Sequence, residues 1–282
     1  GLHAVIGHLN SGTTMPASRV YNAAGIVEVS PSATTPKYTQ QGFGNAFRVM
    51  ANDVQQGRVL GRFAVTDLGA KTIAIIDDRT AYGQGLADEF DKAAKEAGGK
   101  VIVREYTSDK ASDFTAILTK IKGQKPDLLF FGGMDGQGAP LAKQMKALGL
   151  TSQLLGGDGI HTAEFMKLSG PAGEGVVASL PGRPLESLER GPDFKARFEK
   201  QYGRIQLYAP YCYDAMQVLA RAMQRAGSTE PAKVIPELKK TDYEGVTARI
   251  QFDDKGDLKQ GAITVYKAVN GNWQVLKTVE SN

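Results

Sequence analysis

Short continuous apolar runs alternate along the chain with longer stretches of helical spacing. The runs Ala4–Ile6, Ile26–Val29, Thr72–Ile76, Val101–Tyr106, Asp127–Phe131, Gln153–Leu155 and Gly175–Leu180 predict strands. Most do not alternate in polarity, as expected of strands covered on both faces. Between them, apolar residues recur every three to four positions. Val59, Leu60, Phe63 and Ala64 mark one helix, and Leu86, Phe90, Ala94 and Ala97 a second, ended by Gly98 and Gly99. Phe114, Ile117, Leu118 and Ile121 mark a third, capped by Ser112 or Asp113. Leu141, Met145 and Leu148 mark a fourth, stopped by Gly149. Strand–helix alternation with Gly/Pro punctuation predicts an α/β fold with a parallel sheet.

Near Pro181 the character changes. The stretch P-G-R-P-L-E-S-L-E-R-G-P reads as a loop, followed by helices around Phe194–Phe198, Tyr213–Met223 and Val234–Leu238. The end is strand-like: Val246–Phe252, a solvated D-D-K-G-D turn, Ala262–Lys267, then Trp273–Lys277 after an Asn270–Gly271 hairpin turn.

Two strand ends carry the candidate chemistry. Ser11, Gly12, Thr13 and Thr14 follow the first run, and Ser30, Ser32, Thr34 and Thr35 the second. A Ser/Thr cluster after a buried strand predicts a helix opening. Backbone N–H groups at such an opening lack intrahelical partners and, with the helix dipole, seat anions. Two adjacent corners rich in hydroxyls and free of cations fit a small carboxylate; they fit ordinary capped turns equally well.

Composition narrows the reading. The 282 residues are 41% hydrophobic, enough for one large domain or two smaller ones. Net charge is +4 with acids and bases interspersed, so a nucleic-acid surface is not expected. The lone Cys212 excludes an intrachain disulfide and a cysteine-based zinc site. No stretch approaches the ~20 apolar residues of a membrane helix, and the opening G-L-H-A-V-I-G-H-L is not a signal peptide.

No phosphate loop, zinc-protease helix or serine elbow is present. Gly133, Gly136 and Gly138 only loosely imitate a dinucleotide fingerprint, which weighs against a dehydrogenase. His3, His8 and His161 have no ligand-like spacing, so no metal or cofactor is expected. Asp158, in G-G-D-G-I-H, is an acid at a strand end that could receive an ammonium group. Its competing role is to cap a helix over 161–168. Asp77, Asp78 and Asp135 also lie at strand ends, where capping or solvation is expected.

The segments V-I-G-H-L-N-S-G-T-T-M-P-A-S, I-V-E-V-S-P-S-A-T-T-P, Y-G-Q-G-L-A, G-G-D-G and F-D-D-K-G-D-L resemble the periplasmic leucine/isoleucine/valine-binding proteins. These are type I solute-binding proteins of ATP-driven (ABC) importers, and the resemblance runs the length of the chain. It implies two Rossmann-like lobes with parallel sheets, joined by three crossovers and closing on a ligand. Lobe 1 would be 1–51 plus 182–263, and lobe 2 would be 52–181 plus 264–282. It implies that Ser11 takes the ligand carboxylate, with Leu9 and Asn10 on the same loop. Ser32 and Ala33 contribute through the second corner, and Thr34 through its hydroxyl. Tyr82 and Asp158 come from the other lobe, the acid holding the α-ammonium, and Tyr208 walls the side-chain pocket.

Departures from the family pattern bear on the ligand. The acid is one methylene shorter than the usual Glu. Met134 replaces a tyrosine of the branched-chain binders, so the pocket is adaptable and apolar. Asn10 stands where close relatives carry a disulfide cysteine. The family begins with two further strand–helix units, roughly 60–70 residues, before the strand at Ala4; lobe 1 is therefore expected to be incomplete, with that strand as an apolar edge. The resemblance implies an extracytoplasmic binding protein for a small aliphatic amino acid, with a membrane permease as partner. The alternative is a sensor or receptor domain of the same fold that binds an amide or another small carboxylate.

Overall fold

The computed structural model describes residues 1–281. The chain divides into two compact units: residues 1–52 with 181–262 and 280–281, and residues 53–180 with 263–279. Each has its own core.

In the first unit, β1 (Ala4–Ile6), β2 (Val27–Ser30) and β3 (Ala46–Arg48) form a parallel sheet in that order. β1 is its half-buried edge among the described residues. Helix α1 (Ser11–Ala23) connects β1 to β2. Between β2 and β3 the polypeptide makes only a 3-10 turn, Pro36–Gln41. The α-helix expected after the second hydroxyl corner is therefore absent. Pro36 fixes its own φ and disfavours helical geometry in the preceding residue, and Gly42 ends the turn with φ 79°. Val27, Val29, Phe47 and Val49 pack on one face of α8 (Ala209–Ala226) and α9 (Pro231–Lys239), through Val218, Leu219, Val234 and Leu238.

The segment expected as a strand over 246–252 is irregular. Tyr243–Glu244 and Arg249–Ile250 pair as short antiparallel strands β9 and β10, and Phe252 makes an isolated antiparallel bridge with Leu258. Between β9 and β10, Asp214 from α8 takes the amides of Val246 and Thr247 at 2.9 and 2.8 Å, drawing that backbone out of the ladder.

In the second unit, α2 (Asp53–Thr66), β4 (Thr72–Asp77), α3 (Gly83–Glu96), β5 (Lys100–Tyr106), α4 (Thr115–Gln124), β6 (Leu128–Gly132), α5 (Asp135–Ala147), β7 (Gln153–Gly156), α6 (Ala163–Ser169) and β8 (Val177–Pro181) alternate. Strands β5, β4, β6, β7 and β8 lie side by side and parallel. A hairpin of β11 (Gly261–Val269) and β12 (Asn272–Ser281) extends that sheet. Its turn puts Asn270 and Gly271 at φ 51° and 72°, the backbone that an N-G pair supplies. Helices α2 and α3 press together where Gly57 and Gly61 leave no side chain. A Cβ on Gly57 would stand 2.5 Å from Glu89 Cβ, and one on Gly61 2.6 Å from the Ala94 amide. That close approach fixes the first turn of α2, which carries Gln56. No helix among the described residues is long and apolar enough to cross a membrane.

Candidate ligand-binding half-sites

The two hydroxyl corners of the first unit are built as one structure. The Asn10 carbonyl accepts the amides of Thr13 and Thr14 at 3.1 and 2.9 Å and both their hydroxyls, which holds the start of α1. The amides of Ser11 and Gly12 have no acceptor within the helix. Ser32 donates its hydroxyl to the Leu9 carbonyl at 3.1 Å, tying the second corner to the first. Ser30 Oγ accepts the Ala33 amide at 3.0 Å, and Ser11 Oγ accepts the Thr35 amide at 3.2 Å. A serine hydroxyl that accepts one bond keeps its own proton to donate. Thr34 is buried, and its hydroxyl has no hydrogen-bond partner among the described residues. Leu9, Asn10, Ser11, Ser32, Ala33 and Thr34 are thus brought together. Tyr208 lies at the start of α8 with its ring edge-on to Tyr211 at 6.5 Å.

The expectation of a corner without cations needs correction. Arg48, at the end of β3, is fully buried, and its Nη1 donates to the carbonyls of Ala33 and Thr35, each at 2.8 Å. Its Nε donates to Asp257 Oδ1 at 2.9 Å, and Nη2 closes on the same oxygen. Asp257 also accepts the Thr39 hydroxyl at 2.9 Å. The D-D-K-G-D turn is therefore not simply solvated: its last acid is the counter-ion of a buried guanidinium. A charged residue inside the apolar run A-F-R-V-M was the available signal, since such a residue is rarely buried unpaired.

In the second unit, Asp158 is buried, and its Oδ1 accepts two bonds of 2.9 Å each, from the Tyr82 hydroxyl and from Gln56 Nε2. Gln56 Oε1 in turn accepts from Ser179 at 2.8 Å. Tyr82 OH also accepts the Gly159 amide at 2.8 Å. The loop after β4 holds Tyr82 in place: Asp78 Oδ1 takes the Thr80 amide and hydroxyl, and Thr80 Oγ1 takes the Gly83 amide. Asp78 is not a solvated acid, and burial raises its pKa. Met134 lies beside the same site, its sulfur 3.0 Å from where a Cβ on Gly159 would be. The glycines flanking Asp158 are demanded by Tyr82, Leu86 and Met134 crowding the backbone. Asp158 does not cap α6; Thr162 does, accepting the Phe165 amide at 2.9 Å. Gln56 and Ser179 escaped the sequence reading because neither lies at a loop or in a motif.

The histidines serve structure. His3 bonds Thr229, and His8 bonds Tyr21 at 2.8 Å. His161 packs between Tyr266 and Trp273, where burial lowers its pKa to about 3 and keeps it neutral. No group of three or more acid, His or Cys side chains that could hold a metal occurs among the described residues.

Two α/β units, a hydroxyl-lined corner in one and a buried acid with aromatic and apolar neighbours in the other, define a protein built to bind a small molecule. Residues 1–272 match the model of the periplasmic binding protein family, and the chain belongs to that family. It is 38% identical over 272 residues to the Leu/Ile/Val-binding protein homolog 1 of Brucella abortus, covering 96% of this chain and 73% of that one. It is 34% identical to the leucine-, isoleucine-, valine-, threonine- and alanine-binding protein of Pseudomonas aeruginosa, covering 95% and 72%. A leucine binding protein structure from Thermotoga maritima superposes with a TM-score of 0.92 at 28% identity, covering 98% and 79%. A branched-chain amino acid transporter substrate binding protein from Streptococcus pneumoniae, solved with isoleucine, gives 0.86 at 25% identity, covering 98% and 79%.

Proposed function

We propose that this protein is the extracytoplasmic substrate-binding component of an ABC importer, not an enzyme, and that it captures a small aliphatic amino acid in the periplasm and delivers it to a membrane permease. The observation that carries the reading is the chemical complementarity of the two half-sites. The first offers hydroxyls and amides to a carboxylate, through Ser11, Thr34 and the start of α1. The second offers one buried carboxylate to an ammonium, with Tyr82 and Gln56 on its Oδ1. A zwitterion leaving water needs both of its charges matched. In this reading the ligand favours the closed form of the two lobes through contacts made only there. The relatives' names, one a Leu/Ile/Val-binding protein homolog and the other a leucine-, isoleucine-, valine-, threonine- and alanine-binding protein, support a small, mainly aliphatic side chain, and Met134 supplies an apolar, adaptable neighbour for it.

A thermal-shift screen of the standard amino acids, with small aromatic and amide ligands alongside, identifies the ligand. Calorimetry of Asp158→Ala then tests the acid. Removing the partner of a desolvated ammonium is expected to weaken binding by ~2–5 kcal/mol; unchanged affinity removes Asp158 from the site.

A further inference from the structure

We propose that Arg48, held by Asp257, is the positioning residue of the carboxylate seat. The inference rests on the reading of the first half-site given above. Several tethers act on residues 33–35, among them the Tyr38 amide on the Thr35 carbonyl at 3.2 Å, and the charged one is Arg48. Ser30 Oγ holds the Ala33 amide at 3.0 Å, and Ser11 Oγ holds the Thr35 amide at 3.2 Å. Arg48 Nη1 bridges the carbonyls of Ala33 and Thr35, the residues on either side of Thr34. Bracketed on both sides, Thr34 keeps a hydroxyl that no described residue engages.

The guanidinium suits this task because its donors are fixed in one plane. Nε and Nη2 go to Asp257, Nη2 also donating to Thr39 Oγ1 at 3.2 Å, and Nη1 is aimed at the two carbonyls. Asp257 is itself pinned: its amide donates to Asp253 Oδ1 at 2.9 Å, while its side chain takes Thr39 at 2.9 Å and Asn52 at 3.3 Å. The Arg48 amide also donates to the Gly256 carbonyl at 2.9 Å, so strand and turn are joined through the backbone as well. Arg48 does not present its charge to a ligand. It sets the orientation of the hydroxyl and amides that do.

Arg48→Lys is the direct test. A lysine offers a single nitrogen on a flexible stem and cannot both pair with Asp257 and bridge two carbonyls in a fixed plane. If the lysine variant fails to fold, the double variant Arg48→Met with Asp257→Leu replaces the whole pair by apolar groups of similar size, which buried ion pairs tolerate. Two readouts are taken on the full chain, well below its unfolding temperature: calorimetric affinity for L-leucine, and backbone amide resonances without ligand. The expected result is an affinity loss of at least about tenfold, with the Ala33, Thr34 and Thr35 amides shifted and those of Asp158 and Gly159 unmoved. Replacing a merely stabilising arginine would lower the unfolding temperature and leave the leucine affinity alone. Unmoved amides at 33–35 overturn the positioning role, as does leucine affinity within about twofold of a leucine-binding wild type. A wild type that binds no amino acid defeats the reading of the site instead, and the positioning role is then decided by the amides alone.

Discussion

On the function proposed above, the two half-sites answer opposite electrostatic problems by mirrored means. In the first unit neutral groups would meet the ligand and the formal charges stand behind them: hydroxyls and amides line the corner, and the Arg48–Asp257 pair holds the backbone from within. In the second unit the formal charge would be the contact group, with neutral dipoles behind it: Tyr82 and Gln56 bond Asp158, and Ser179 bonds Gln56. A carboxylate is well served by several converging N–H and O–H donors. An ammonium needs an acceptor with full negative charge, because neutral acceptors repay less of its dehydration. The comparison teaches that a buried charge in a binding protein need not touch the ligand. Which charges do is decided by what lies between them and the site.

The largest expected effect concerns the strand that leads into the seat. Glu28 on β2 is buried, and burial raises its pKa from 4.5 to about 8, with the Tyr38 hydroxyl pulling the other way. The folded protein therefore holds a proton on Glu28 at pH values where the unfolded chain has released it. Stability is unaffected by this group below the unfolded pKa and falls as pH rises from there to about 8. The slope reaches about 1.4 kcal/mol per pH unit at its steepest, one proton's worth. Urea unfolding across that window should show the slope in the wild type and its removal in Glu28→Gln. Equal slopes in both proteins would show that Glu28 does not hold its proton through that window.

The second effect sharpens the contrast from the other side. Gln56→Leu deletes one donor to Asp158 Oδ1 and leaves Ser179 without its acceptor. Affinity for the amino acid should fall by about 1–3 kcal/mol, the usual consequence of leaving a buried polar group unsatisfied. Calorimetry checks it. An affinity equal to that of the wild type would mean that the Gln56 bond does not position the acid.

Most of the fold was legible because its signals are local. The strand cores at 73–76 and 128–131 are apolar throughout, and Gly98–Gly99 stops the helix after the first; the next helix instead runs through Gly123 and ends with Lys125 in the left-handed region at φ 51°. The hydroxyl corners and Asp158 were conspicuous as candidates for the same reason: they sit at strand ends, where chemistry-bearing residues stand out. Their supports were not. Gln56 lies 102 residues from Asp158, and Arg48 lies 209 from Asp257. Neither pair has a spacing that a reading of periodicity can detect. The irregular stretch after Glu244 failed for a related reason, since Asp214 on a distant helix claims its amides.

The smallest effect tests the front of the first half-site rather than its support. Thr34→Val keeps the shape of a buried side chain and removes only the hydroxyl, while Thr34→Ser keeps the hydroxyl and removes a methyl group. If the hydroxyl is one of several neutral donors to a carboxylate, its loss should weaken binding by about 0.5–1.5 kcal/mol, and the serine variant should retain most of the affinity. On the proposed function the effect stays small because Ser11 and the amides opening α1 would share the same anion. That sharing would separate this half-site from the other, with the carboxylate held by several dipoles and the ammonium by a single acid. A calorimetric loss for Thr34→Val as large as that for Asp158→Ala would erase the distinction, because the seat would then hinge on one group in each unit.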